Sequence, residues 1–282
     1  MKIGKYELFA LNTGTFGLDG GAMFGIIPKP LWEKKIPADE MNRITLGGRC
    51  LLMKSEDKII LVDTGIGNNW DEKFKKIYRV EFESASLNSS LKMKGIKPED
   101  ITDVILTHLH FDHTGGSVIF ENGKMIPAFP NAKYHVQKKH FEWAEQASPK
   151  DRGSFVKNRF VPLRDEGVIQ LHEGNSEFDE NINLLITNGH TVNQQLVKIS
   201  DGNQTLLYCA DFLPTSAHVP IPYVMSYDLL PLQTIKEKEK ILPQAVDEEW
   251  LLFFEHDPKI AAAKIIMNEK GFAVKETFSD LI

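Results

Sequence analysis

One ten-residue stretch limits what this chain can become: Thr107-His108-Leu109-His110-Phe111-Asp112-His113-Thr114-Gly115-Gly116. It follows Val104-Ile105-Leu106, an apolar, partly β-branched run of the kind that forms a buried strand. Side chains alternate along an extended segment, so His108, His110 and Asp112 can project to one side. A turn at His113, opened by Gly115 and Gly116, can swing a third imidazole to the same point. A lone buried His is ordinarily a hydrogen-bonded core residue. Three imidazoles and a carboxylate between His108 and His113 make a poor core and a good metal site. Imidazole and carboxylate suit zinc, and also iron, manganese or cobalt.

The rest of the chain delivers more ligand-type residues in a repeated way. Ile182 to Thr187 is an apolar run leading through Asn188-Gly189 to His190, and Thr205 to Ala210 ends in Asp211. Trp250 to Glu255 ends in His256-Asp257, and Lys58 to Val62 ends in Asp63-Thr64-Gly65. Asp63 is read either as a turn cap or as a carboxylate that orients metal-binding imidazoles. Open α/β architectures place their chemistry at the carboxyl ends of strands, so these runs point to one sheet edge. His135, His140 and His172 lack ligand-type neighbours at useful spacing and are read as structural or surface residues.

Further elements follow from pattern. Tyr6 to Thr13 reads as a first strand, and the glycine-rich segment from Gly14 to Pro30 as a loop. That loop carries Met23, Phe24, Ile26, Ile27, and beyond it Leu31 and Trp32, too apolar for a solvated loop. It either packs under the fold, walls a binding cleft, or serves the interface of a homodimer. Ile44 to Met53 is a second strand; 70–78, 87–95 and 138–147 have helical spacing, and Ala132 to Val136 is strand-like. Ser148 to Gly167, with periodic Phe155, Phe160 and Leu163, reads as a helical excursion over the site. Gln233 to Gln244 reads as an amphipathic helix. Pro258 to Lys270, with Pro at its start and Gly271 at its end, is predicted as another.

A chain of 282 residues with no tandem repeat or low-complexity linker is read as a single domain over 1–282. Its net charge of -6 gives no reason to expect nucleic acid as a partner. Its only cysteines, Cys50 and Cys209, sit in apolar runs and cannot form a disulfide framework. No apolar run approaches the ~20 residues of a membrane span, and the N-terminus lacks a signal pattern. A cytoplasmic protein with no membrane partner is expected.

Together, His108-Leu109-His110-Phe111-Asp112-His113, His190, Asp211, His256 and Asp63-Thr64-Gly65 resemble the metallo-β-lactamase superfamily over roughly residues 44 to 260. The resemblance implies a four-layer αβ/βα sandwich, two mixed β-sheets flanked by helices, with the metals at one edge. It implies two divalent ions, zinc first, with His108, His110 and His190 on one metal. Asp112, His113 and His256 would hold the other, and Asp211 would bridge them. It implies a hydrolase using a metal-bridging hydroxide, with Asp112 orienting that nucleophile or passing its proton to the leaving group.

Residues discriminate among branches. Cysteine-containing β-lactamases place Cys where Asp211 stands, and flavodiiron proteins place Glu where His110 stands. Gly20 to Trp32 and Asp211 to His218 are similar to quorum-quenching lactonases, which implies an N-acyl-homoserine lactone or another small-molecule lactone or ester as substrate. Met23, Phe24, His218 and Tyr223 are the candidate substrate contacts. Thioester hydrolysis of the glyoxalase II kind, organophosphate hydrolysis and a non-catalytic metal-binding role are the alternatives. Lactonases of this branch carry Tyr three positions after the bridging Asp; here that position is Pro214, leaving Tyr223 or Tyr227 to supply a hydroxyl.

Overall fold

The apolar runs become strands and sort into two seven-stranded sheets, with a separate short hairpin. The computed structural model describes residues 1–82 and 85–281. The first sheet runs, in spatial order, Lys2–Ile3, Tyr6–Asp19, Arg43–Lys54, Ile59–Val62, Asp103–Ile105, Lys133–Gln137 and Ile169–His172. The second runs in chain order from Ser176–Asp179 through Ile182–Thr187, Gln194–Ser200, Thr205–Tyr208, Leu251–Phe253 and Ala262–Asn268 to Gly271–Phe278. Both are mixed. Ile59–Val62, Asp103–Ile105, Lys133–Gln137 and Ile169–His172 are mutually parallel, as are Thr205–Tyr208 and Leu251–Phe253.

Continuous apolar sequence here means burial on both faces. Along Arg43–Lys54, Leu51 and Met53 face the second sheet, while Cys50 and Leu52 face the layer outside. Ile60 and Val62 alternate with Leu61 in the same way. One continuous buried cluster joins them to Leu184, Val197, Leu206, Tyr208 and Phe253 of the second sheet and, through that sheet, to Leu242 and Ala245 of helix Pro231–Asp247. On the other side, helices Leu87–Met93 and Lys138–Glu145 contribute Leu91, Phe141 and Ala144 to the outer cluster. The layers are therefore helix, sheet, sheet, helix, as the resemblance implied. Among the described residues, no helix is long and apolar enough to cross a membrane.

Two expectations are corrected. The first strand does not end at Thr13 but continues to Asp19, through a bulge between Asn12 and Gly14. Gly14 has φ 114, and a Cβ there would meet the carbonyl oxygen of Glu81 at 2.8 Å, so this glycine marks a bulge and a close approach. Only then does the chain turn, into helix Gly20–Phe24, which Asp19 caps through Ala22 N at 2.8 Å.

The second correction concerns Pro258 to Lys270, which is not a helix. Asp257 Oδ1 accepts the N–H groups of Lys259 and Ile260 and closes a turn, and Ala262–Asn268 is a strand paired on both sides. Helix preferences differ by less than about 1 kcal/mol per ordinary residue, whereas burying one Ile side chain stabilises by roughly 1.5–3 kcal/mol. Ala262, Ala263 and Ile265 are all buried in the same cluster, on the two faces of the second sheet. Gly271, at φ 104, serves the hairpin rather than a helix end.

The excursion from Ser148 to Gly167 holds only a 3-10 turn, Lys157–Arg159, and the short helix Val161–Asp165. It does border the site, as described below. Asp63, the histidine stretch, His190, Asp211 and His256 all follow the ends of their strands, so the topology carries them to one edge.

Candidate metal centre

The histidine stretch is not extended throughout. After Asp103–Ile105 the chain runs irregularly through His110, and Phe111–Thr114 forms one helical turn. Asp112 therefore reaches the centre from a helical turn with His113, not by strand alternation with His108 and His110. Gly115 makes this possible: a Cβ there would lie 1.7 Å from the carbonyl oxygen of Ile66, so only glycine lets the two segments meet. Thr64 then binds the His113 carbonyl through both its N–H and its hydroxyl, each at 2.8 Å.

Asp63 organises the entry. It is fully buried with φ 57, a left-handed conformation that Asp tolerates better than most residues. Its carboxylate accepts from Thr107 N and Thr107 Oγ1, both at 2.7 Å, and lies 3.0 Å from His113 Nδ1. Because the Thr107 hydroxyl donates to Asp63, it can accept from His108 Nδ1 at 3.1 Å. That leaves His108 Nε2 free to ligate.

Among the described residues three groups of His and acidic side chains have donor atoms within 4.8 Å of one another: His108, His110, His190 and Asp211; Asp112, His113, Asp211 and His256; and, behind the second, Asp63, His113 and Glu255. Asp211 belongs to the first two, the candidate ligand groups. Its Oδ2 lies 3.1 Å from His190 Nε2 and 3.7 Å from both His108 Nε2 and His113 Nε2. Its Oδ1 lies 3.1 Å from His256 Nε2. Ring nitrogens also crowd together, His110 Nδ1 being 3.1 Å from both His108 Nε2 and His190 Nε2. Buried lone pairs converging this closely fit a shared cation, and all seven side chains are buried.

Electrostatics agree with the geometry. Burial, reinforced by the neighbouring imidazoles, pushes His108 and His110 well below the usual imidazole range, so both keep the neutral form that binds metal. Burial would raise Asp211, but the facing His190, His256 and His113 outweigh it and hold the carboxylate well below its usual range. Burial likewise opposes charge on His190 and His256, yet Asp211 outweighs it and lifts both to about 9. Asp211 thus gathers positive charge around itself, and divalent ions can replace those protons.

Behind the ligands stand residues that the sequence did not announce. Asp228 Oδ1 lies 3.0 Å from His190 Nδ1, and its Oδ2 accepts from Thr234 Oγ1 at 2.9 Å. His256 Nδ1 donates to the Gly47 carbonyl at 3.0 Å. Glu255, fully buried, reaches His113 Nδ1 at 3.0 Å. His140 accepts from Leu109 N at 2.8 Å and donates to Val192 O at 2.7 Å, tying the His108–His110 segment to the His190 loop. Burial lowers its pKa to about 4, in keeping with this neutral structural role. His135, paired with Asp103 and His172, lies apart from the ligand groups.

His110, Asp112, His190, Asp211 and His256 floor a cavity walled by Leu18, Met23, Leu46, Tyr78, Phe111 and Met225, with Tyr227 and Lys150 also lining it. Of the four side chains expected to touch substrate, Met23 lines this cavity. Phe24, His218 and Tyr223 do not; they pack behind it. The Phe24 ring stacks on His218 at 4.7 Å and on Trp32 at 5.4 Å, with Tyr223 edge-on at 6.2 Å. His218 Nε2 donates to the Met23 carbonyl at 2.9 Å, so it supports the wall rather than forming it. Pro214 brings no hydroxyl near the ligands and instead accepts from His256 N at 3.0 Å.

Comparison with known proteins agrees with this arrangement. The Metallo-beta-lactamase superfamily profile matches residues 43–256. The chain belongs to that superfamily. It is 28% identical to an N-acyl homoserine lactonase of Bacillus cereus, over 83% of this chain and 87% of the relative. Among solved structures, a probable metal-dependent hydrolase from Staphylococcus aureus superposes with a TM-score of 0.89 at 29% identity, covering 99% of this chain and 98% of that one. AidC, a dizinc quorum-quenching lactonase in complex with the product N-hexanoyl-L-homoserine, superposes with a TM-score of 0.81 at 25% identity, covering 98% and 96%. This metallo-β-lactamase-superfamily chain is a hydrolase with buried His/Asp clusters suited to metal.

Proposed function

We propose that this hydrolase holds two divalent ions, zinc first, and opens a lactone or cleaves an ester, with N-acyl-homoserine lactones the leading substrates. The observation that carries the proposal is the pair of ligand groups sharing Asp211 on the floor of a cavity with apolar walls. When bound, such ions lower the pKa of water toward neutrality and polarise a carbonyl oxygen. The chain's own groups do the rest. Leu18, Met23, Leu46 and Met225 offer an acyl chain an apolar surface and exclude water around the reacting carbonyl.

Asp112 projects into the same cavity from the helical turn. In this reading it accepts a proton from the attacking water and returns it to the leaving alkoxide. Tyr227 lines the cavity while partly exposed, and partial burial lifts its phenol to about 12, so near neutral pH the hydroxyl keeps its proton and can donate to an acyl oxygen. It takes the part that Pro214 cannot.

A glutathione thioester calls for free cations to meet two carboxylates. Among the described residues lining the cavity, Lys150 is the one lysine, and its ammonium is already bound to three carbonyls. That favours an uncharged acyl chain. The testing experiment counts metals per chain on protein purified without chelator and assays the same sample on N-acyl-homoserine lactones of graded chain length. About two metals and ring opening support the reading. A metal-loaded enzyme that opens no lactone and cleaves no ester overturns it.

A further inference from the structure

Lys150 sits at the exposed rim of the cavity, where two separate walls come together. Its Nζ donates to three successive carbonyls, Ser226 O at 2.8 Å, Tyr227 O at 3.3 Å and Asp228 O at 3.0 Å. An ammonium has three protons, so these bonds use all of them. Each wall is in turn fixed to a different part of the metal centre. On the Lys150 side, Ser154 O accepts from Phe111 N at 2.9 Å, and the Phe155 ring packs 4.6 Å from that of His110. Asp151 anchors the base of this wall through Trp143 Nε1 at 2.8 Å. On the other side, Ser226 N donates to Ala22 O at 2.8 Å, and Leu229 N and Leu230 N donate to His190 O and Gly189 O. Asp228, at the end of the bound triplet, holds His190 Nδ1.

We propose that Lys150 is a clasp that sets substrate specificity. It joins the 148–155 wall to the 226–228 wall across the rim and so fixes the width open to the acyl group, and it steadies the loop that carries Tyr227 and Asp228. The specificity part rests on the acyl-hydrolase reading above; the clasp itself does not. With every proton committed to backbone, Lys150 binds no substrate anion. Its bonds lie at the solvent-exposed rim, where water competes, so the clasp opens more readily than the buried contacts beneath it.

The test compares the metal-loaded wild-type enzyme with Lys150→Met, which keeps an apolar stem and removes the donors, and Lys150→Arg, which keeps a cation and its donors. Because Lys150 is exposed, Lys150→Met retains the fold, which an unchanged far-ultraviolet spectrum verifies. In Lys150→Met the amides of Leu229 and Leu230 exchange with deuterium about tenfold faster than in wild type. The kcat/KM ratio of a phenylacetyl to a butanoyl homoserine lactone, or of the matching 4-nitrophenyl esters, rises about tenfold. Lys150→Arg stays near wild type in both. Unchanged exchange in Lys150→Met overturns the clasp whatever the substrate, and faster exchange with an unchanged ratio overturns its part in specificity. A wild-type enzyme that cleaves none of these compounds overturns the acyl-hydrolase reading and the specificity claim with it, while exchange still decides the clasp.

Discussion

Glu255 and Asp63 approach the same nitrogen: the Glu255 Oε2 and Asp63 Oδ2 atoms each lie 3.0 Å from His113 Nδ1, and both carboxylates are fully buried. A single N–H cannot satisfy two carboxylates. Burial, aided by the charge of Asp63 and opposed by His113, lifts Glu255 to about 7. Its folded pKa therefore lies above the ordinary value of 4.5, so it takes up a proton on folding. The corresponding stability is fully present below about pH 4.5 and is lost as pH rises through 7. Metal-stripped wild-type protein should lose on the order of 2 kcal/mol between pH 5 and pH 8 from this group. Glu255→Gln, which holds the neutral form at every pH, should flatten that profile in urea titrations. An equally steep profile in the variant would assign the pH dependence to other groups.

Asp211 is the one side chain shared by the His108 and His256 groups, so under the proposed two-ion site its removal should disturb both ions, whereas His108 belongs to one group. Asp211→Ala should lose nearly all bound metal and His108→Ala about half, each with activity down by more than about 100-fold, the upper end of the loss seen for outer-shell changes. Metal content by mass spectrometry and turnover on one sample check this. Full metal and full turnover in either variant would show the ligand assignment to be wrong.

The carboxylates behind the imidazoles should matter less. Asp63→Asn tolerates the left-handed backbone at φ 57 but weakens the acceptor facing Thr107 and His113, and Asp228→Asn does the same for His190. Each should lower metal affinity or activity by about 10–100-fold. Competition with a chromogenic chelator reads the affinity, and wild-type values would reduce these residues to simple packing.

Tyr227→Phe removes a hydroxyl and leaves the ring. If that hydroxyl meets the acyl oxygen mainly in the transition state, kcat should fall about tenfold with KM little changed. Since burial lifts the phenol only upward, to about 12, an alkaline limb in the pH–rate profile below pH 10 should persist unchanged in the variant. A rise in KM alone would mark Tyr227 as part of the wall.

Much of the centre was legible because its chemistry is local in sequence. His108 to His113 sit together after an apolar run, and His190, Asp211 and His256 each follow one. Asp228 and Glu255 gave less away. Asp228 stands 38 residues from the imidazole it holds, and Glu255 reads as the end of a strand. The segment at Ala262–Asn268 carried helix boundary signals and still became a strand, because the partners on either side of it, Leu251–Phe253 and Gly271–Phe278, were invisible to local pattern.

The sequence by itself determined that ligand-type His and Asp residues follow the ends of apolar strand-forming runs, since this follows from residue chemistry and short-range periodicity; the four-layer architecture was implied by the family resemblance those residues carry. Only the tertiary structure decided that Asp228 and Glu255 stand behind the imidazoles, that Met23 reaches the cavity while Phe24, His218 and Tyr223 stand behind it, and that Lys150 spans its rim. Those outcomes depend on which distant backbones come within hydrogen-bonding reach. Pairing of that kind is settled by burial summed over the whole core, not by any one stretch of chain.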